Sequence, residues 1–312
     1  MTMITDPQPG QSVYDPTSGS GGILLNSALH LKEQKKEYRT LGLYGQELNL
    51  ITSAIARMNM FMHNVDEFQI VQGDTLDNPQ LLEDDELRKF DVIMANPPYS
   101  VKRWNQNKFM NDPLGRNIWG TPPQGCADYA FQQHIIKSLN SDRGRCVVLW
   151  PHGVLFRDAE SEIRKKMIEA DLVDAVIGLG KNLFYNSSME SCLLVCRMKK
   201  PKERKGKIIF INAVNEVRTE RSNAWLEKSN IKRIISSYRS LKEEDGFSRV
   251  ATIKEVLENA GNLSIPLYVK IANESQQESM KIILKELRKS HQSINDSMEE
   301  LFNKLQEVGI EK

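Results

Sequence analysis

Phe90-Asp91-Val92-Ile93-Met94-Ala95-Asn96-Pro97-Pro98-Tyr99 is an apolar run that ends in a double proline. Such a run, closed by a breaker, predicts a buried strand with Asn96-Pro97-Pro98-Tyr99 at its carboxyl end. The two prolines lock φ and carry no N–H, so the backbone there offers only acceptors. Asn96 adds a side-chain carbonyl oxygen. Two acceptors aimed at one exocyclic amino group draw its lone pair out of conjugation, and Tyr99 offers a face for stacking on the ring. The same four residues also make an ordinary strand-ending turn, so the motif is weighed with what precedes it.

Upstream, Val13-Tyr14-Asp15-Pro16-Thr17-Ser18-Gly19-Ser20-Gly21-Gly22 leads into the apolar Ile23-Leu24-Leu25 and Ala28-Leu29. This pattern predicts a short strand, a glycine-rich turn and a helix start, where backbone N–H groups can approach a ligand closely. The spacing lacks the third glycine of the dinucleotide fingerprint. Leu41-Gly42-Leu43-Tyr44-Gly45-Gln46-Glu47 reads as a second strand. Glu47 at its end lies about 25–30 residues beyond the loop, against roughly 20 for a ribose-binding carboxylate. A carboxylate starting a helix is its ordinary reading. Phe68–Gln72 reads as a third strand ending in Gly73-Asp74, where Asp74 either accepts from a base amino group or caps the next turn. Parallel sheets bind ligands outside the carboxyl ends of their strands. Four candidates at four strand ends therefore converge on one rim.

With these motifs in this order, the chain resembles the amino-methylating DNA methyltransferases that use S-adenosylmethionine. More narrowly it resembles the methylation (M) subunit of type I restriction-modification systems. The narrower likeness rests on Ala127-Asp128-Tyr129-Ala130-Phe131, on Gly144 through Arg157, on Asn182-Leu183-Phe184-Tyr185-Asn186-Ser187, and on Gly246–Val250 through Ile265–Val269. The resemblance implies an α/β fold: a doubly wound, mostly parallel, Rossmann-like sheet of seven strands, one antiparallel near its end, with a helical C-terminal extension. It implies that Asp15, Pro16, Ser18, Gly19, Gly21, Glu47, Asp74 and Asn96 hold S-adenosylmethionine. It also implies that Asn96, Pro97, Pro98 and Tyr99 catalyse methyl transfer to adenine N6, Asn rather than Ser at position 96 favouring adenine over cytosine. Phe184 joins Tyr99 in stacking on a flipped base, with Tyr185 as its substitute. No metal is expected. DNA and a specificity (S) subunit are the implied partners, and a restriction (R) subunit is a further candidate.

Type I M subunits also carry a helical N-terminal domain followed by a Phe/Tyr-Thr-Pro motif. Neither precedes Asp6-Pro7 here, so the chain is expected to be the catalytic and C-terminal portion of a longer protein, with Met1 an internal methionine or an expression scar. Two other functions stay open: methylation of a glutamine amide in a protein, for which Asn-Pro-Pro-Tyr also serves, and an inactive remnant that only binds its partner.

The remaining sequence sets bounds. A length of 312 residues suits one large or two modest domains. The formal net charge is +1, low for a solitary DNA-binding enzyme, so either a partner carries much of the DNA grip or a local patch suffices. No apolar run reaches membrane-span length and the cysteines (Cys126, Cys146, Cys192, Cys196) form no CxxC pair, so a reduced cytoplasmic protein is expected. Further strands are predicted over 145–150, 172–179, 192–198 and 207–212, with a helix over 159–170. The irregular stretch from Ser100 to Cys126 sets Lys102, Arg103, Trp104, Lys108, Arg116 and Trp119 among Asn, Gly and Pro. It suits phosphate contact and base stacking, or a plain loop with its tryptophans packed inward. Helices are expected at 228–240 and 253–259. From Met280, apolar positions step by four and three through Leu284, Leu287, His291, Ile294, Met298, Leu301, Leu305 and Val308. That is a coiled-coil seam with one polar residue, His291, unless the helix packs on its own domain. The resemblance implies that the seam takes a helix of the S subunit. The expected division is a catalytic domain over 1–215, a helical region over 216–272 and a coiled-coil helix over 273–312.

Overall fold

The computed structural model describes residues 1–183, 189–220 and 223–270, and in the C-terminal tail 284–285, 287–292, 294–298 and 304. The chain falls into two units, 1–270 and 271–312. The first is built on nine strands: β1 Ser12–Asp15, β2 Gly42–Glu47, β3 Phe68–Gln72, β4 Val92–Ala95, β5 Arg145–Pro151, β6 Val173–Leu179, β7 Ser191–Arg197, β8 Lys207–Ala213 and β9 Ser248–Thr252. Their order across the sheet is β9-β8-β6-β7-β5-β4-β1-β2-β3. β7 runs antiparallel to both its neighbours and β9 antiparallel to β8; every other pairing is parallel.

The apolar strands are those covered on both faces. All four residues of β4 and all seven of β6 are buried, as parallel sheets require when helices lie on each side. Successive side chains alternate between faces. Val13, Val92 and Met94 meet Leu24 and Ala28 of α1 (Gly22–Glu33) and Ala56 and Met60 of α2 (Leu50–Met62). Tyr14, Ile93 and Ala95 face the other way, into a cluster with Tyr129, Ala130 and Ile135 of α3 (Asp128–Lys137). α4 (Ser161–Glu169) joins β5 to β6, and α5 (Lys228–Ser240) sets Ile234 and Tyr238 in a cluster with Ile177 and Ile209.

The sheet departs from the expected seven strands with one antiparallel. The stretch expected to be helical does carry the helices at 228–240 and 253–258, but β9 lies between them and pairs Ala251 with Ile208 on the sheet edge. Its sequence, Ser-Arg-Val-Ala-Thr, is apolar at only two positions because an edge strand is not buried on both faces. The four cysteines are buried and unbridged. Among the described residues no helix is long and apolar enough to cross a membrane.

In the second unit the described tail residues are helical, and Leu284, Leu287, His291, Ile294 and Met298 of the heptad row are all exposed. Met280, Leu301, Leu305 and Val308 lie outside the described residues.

Candidate active site

Strand order reverses between β1 and β4: the chain moves outward from β1 to β3, then returns to place β4 on the other side of β1. Crevices at such reversals hold ligands in open α/β sheets. Asp15 closes β1, Glu47 closes β2, Asp74 lies just past β3, and Asn96 follows β4. The fold thus brings all four to one rim.

The glycine-rich turn is tied to its neighbours. Gly19 N–H donates to Glu47 Oε2 at 2.9 Å, and Ser18 N–H to the Gln46 carbonyl at 2.9 Å. Thr75 Oγ1 donates to the Pro16 carbonyl at 2.5 Å, joining the turn to the Asp74 segment. Gly21 has φ +79°, and a Cβ on it would stand 2.9 Å from Met60 Cε. Ser18 Oγ is buried with no hydrogen-bond partner. Glu47 uses its other oxygen to accept from Asn49 N–H at 2.9 Å, so it serves both the turn and the start of α2. Asp74 Oδ1 accepts from the N–H groups of Leu76 and Asp77, a turn cap.

Asp15 is buried and accepts from Thr17 N–H at 3.0 Å. Burial pushes its carboxyl up to about 7, against the pull of the Thr17 hydrogen bonds and with a further push from the Glu47 charge. The raised value means that the native state holds the proton more tightly than the unfolded chain, where aspartate titrates near about 3.9. Its contribution is therefore fully present below about pH 4 and lost as pH rises through about 7. Asp15→Asn, neutral throughout, is expected to gain stability over the parent across that window, at about 1.4 kcal/mol per pH unit at most. Urea denaturation at pH 4 and pH 8 checks this; an equal difference at both would refute the buried, proton-holding Asp15.

At the end of β4, Asn96 is exposed, Pro97 buried, Pro98 exposed and Tyr99 half-buried. Tyr99 donates its phenol O–H to Asn96 Oδ1 at 3.0 Å. Burial pushes that phenol up to about 12, so it stays a neutral donor. The next residue, Ser100, has φ +50°, a left-handed conformation that costs an L-residue about 1–2 kcal/mol. Its N–H donates to Asp128 Oδ1 at 2.7 Å. Asp128, fully buried at the start of α3, accepts from Arg157 Nη2 at 2.5 Å, and Arg157 Nε reaches Glu160 Oε2 at 2.7 Å. Cys126 Sγ donates to Asp128 Oδ2 at 3.1 Å, its thiol pushed up to about 12 by burial and the Asp128 bond. Cys126, Asp128 and Glu160 stand close enough to share one ligand. Arg157 already pairs with both carboxylates, so the cluster reads as an ion-pair network.

Sequence reasoning missed this network. Its members are 28 and 29 residues apart along the chain, and only the stretches around Asp128 and Arg157 drew notice. The loop from Ser100 to Cys126 also corrects an expectation. Arg116 is buried, donates to the carbonyls of Thr75 and Leu76 at 2.8 Å each and pairs with Asp112 at 2.6 Å, so it staples the loop and is not free for phosphate. Trp104 donates to the Gln124 carbonyl, and both Trp104 and Trp119 pack on the core. Lys102 and Arg103 remain exposed. Phe184 and Tyr185 lie outside the described residues.

A methyltransferase-like sheet with an Asn-Pro-Pro-Tyr rim has known counterparts. The N-6 DNA Methylase family model matches residues 1–277, and the chain belongs to that family. It is similar to the type I restriction enzyme MjaVII methylase subunit of Methanocaldococcus jannaschii, 32% identical over 310 residues, covering 96% of this chain and 52% of that one. The MpnII methylase subunit of Mycoplasma pneumoniae is 32% identical over 306 residues, covering 95% and 54%. The crystal structure of a type I restriction-modification methyltransferase subunit from Streptococcus thermophilus superposes with a TM-score of 0.79 at 35% identity, covering 86% of this chain and 57% of that one. The chain thus spans about half the length of the curated relatives it matches.

Proposed function

We propose that this chain is the catalytic portion of a type I modification subunit, transferring a methyl group from S-adenosylmethionine to adenine N6 in DNA. The observation that carries this reading is Asn96-Pro97-Pro98-Tyr99 on the strand beside the Asp15–Gly22 turn, at the point where strand order reverses. The turn suits the cofactor: Gly21, at φ +79° and packed against Met60 and Ala56, lets the turn close tightly on α2, and the unpartnered Ser18 Oγ is a polar atom in want of a ligand. Asp15, Pro16, Ser18, Gly19, Gly21, Glu47 and Asp74 would hold it. When bound, S-adenosylmethionine supplies an electrophilic methyl group.

The chain's own residues do the rest. A duplex hides adenine N6 from in-line attack, so the base must be extruded to reach the rim. Tyr99 stacks on it, typically about 1–3 kcal/mol per base. Asn96 Oδ1 and the Pro97 carbonyl accept the two amino hydrogens, which localises the nitrogen lone pair; Tyr99 O–H must first release Asn96 Oδ1. Held this way, the reactants gain from orientation, which can lower a barrier by about 7–11 kcal/mol. Lys102 and Arg103, on the exposed side of the adjoining loop, face DNA phosphate. The exposed heptad row of the tail takes a helix of the S subunit, which selects the target.

Calorimetric titration with S-adenosylmethionine is expected to show saturable binding that Asp15→Ala loses. The chain, assembled with its S subunit, then passes labelled methyl to unmethylated DNA. Label on protein instead would point to glutamine methylation, and no cofactor binding at all would leave only a partner-binding role.

A further inference from the structure

Tyr99 is followed at once by a residue that does not favour its own conformation. Ser100 sits at φ +50° without being glycine, and a residue in that region persists only where its surroundings hold it. The hold is visible. Asp128 Oδ1 takes the Ser100 N–H at 2.7 Å. Asp128 Oδ2 is fixed in turn by Arg157 Nη2 at 2.5 Å and by the Cys126 thiol at 3.1 Å. Arg157 is anchored to Glu160 by Nε at 2.7 Å and touches Ser100 Oγ at 3.4 Å. Two separate parts of the chain thus bear on one backbone N–H: the start of α3, which bonds it through Asp128, and the connection between β5 and α4, which supplies both Arg157 and Glu160. A buried carboxylate needs a paired cation, and Arg157 meets that need. It does not explain why the other oxygen should be spent on the peptide just past the Asn-Pro-Pro-Tyr motif.

We infer that Asp128, held by Arg157, is a positioning residue that locks the Tyr99–Ser100 peptide and so sets the Tyr99 ring and the Asn96 and Pro97 acceptors for the extruded base. The inference rests on the methyl-transfer reading above. Neither side chain is assigned contact with the substrate. Asp128 acts through Ser100, and Arg157 acts through Asp128. Loss of the lock lets Ser100 relax toward negative φ and swings Tyr99, so ground-state binding is kept while the geometry of transfer is lost.

Asp128→Asn keeps the shape but leaves one carbonyl acceptor where two carboxylate oxygens served the Ser100 N–H on one side and Arg157 and Cys126 on the other, and it takes from Arg157 one of its two carboxylate partners. In the complex with the S subunit, using tritiated S-adenosylmethionine and unmethylated duplex DNA, kcat is expected to fall about 10–100-fold with KM for DNA and cofactor affinity within about threefold. Arg157→Lys, which keeps the charge but not the fork, is expected to fall in the same way. Ser100→Gly placed in the Asp128→Asn background removes the cost of positive φ and is expected to restore kcat at least about fivefold. Wild-type kcat in Asp128→Asn would overturn the inference. So would a parallel loss of melting temperature, cofactor affinity and kcat that Ser100→Gly does not repair, since that is a purely structural role. If the parent complex transfers no methyl, the methyl-transfer reading has failed, and the lock is judged by hydrogen exchange. Exchange of the Ser100 amide faster in Asp128→Asn, with core amides unchanged, supports the lock; equal exchange overturns it.

Discussion

Asn96→Ala is expected to lower the rate of methyl transfer to DNA by about 10²–10³-fold, the loss that follows removal of one preorganised polar group from a reacting centre. The side chain is exposed and its described bond is to Tyr99 O–H, so truncation leaves no buried group unpaired and the fold should stand. The phenol, only half-buried, turns to water. The missing Oδ1 takes away one of two acceptors for the amino hydrogens, and the lone pair stays partly conjugated with the ring. S-adenosylmethionine affinity, measured by calorimetry, should remain within about threefold, since the turn from Asp15 to Gly22 is untouched. Single-turnover transfer with labelled cofactor reads the chemical step. Turnover at the parent rate would remove Asn96, and with it the amino-group mechanism, from this site.

The strands that carry the site were legible because of where they lie. β4 is covered on both faces, so its sequence is apolar throughout and ends in residues that stand out. Asp15 and Asn96 could be read for the same reason: each breaks an apolar run at a strand's carboxyl end. Glu47 follows Gln46 and was read from its place at the end of β2. β9 was not legible because an edge strand needs only one buried face, and Ser-Arg-Val-Ala-Thr meets that need with little apolar content. Arg116 misled in the other direction. In an irregular polar loop an arginine reads as exposed, and only the fold shows it reaching the carbonyls of Thr75 and Leu76 past β3. The Asp128–Arg157 pair lies in the same class. Each residue alone is a common charge; what gives it meaning is Ser100, whose positive φ is a property of the folded backbone and has no sequence signature.

Gly21→Val is expected to weaken S-adenosylmethionine binding, stability or both, by about 3 kcal/mol in sum. Two costs add. At φ +79° a β-branched residue is strained, by about 1–3 kcal/mol for a non-glycine left-handed conformation. The added Cβ would also stand 2.9 Å from Met60 Cε and 3.4 Å from Ala56 Cβ, against the α2 face that closes this side of the sheet. Met60 can swing its terminal methyl, so overpacking sits toward the low end of about 1–3 kcal/mol. How the cost divides depends on whether the turn yields before or after ligand arrives. If the turn holds its shape, the protein is less stable and affinity changes little. If it relaxes in the free protein, stability is spared and binding must rebuild the strained form, a loss of about 100-fold for 2.7 kcal/mol. Gly19→Ala, at φ +51° with nothing within 4 Å of its Cβ, carries the conformational cost without the collision and should lose about 1–2 kcal/mol by the same sum. Urea denaturation and calorimetric titration of both variants separate the shares. If Gly21→Val keeps both parental stability and parental affinity, the left-handed Gly21 packed on Met60 and Ala56 is refuted.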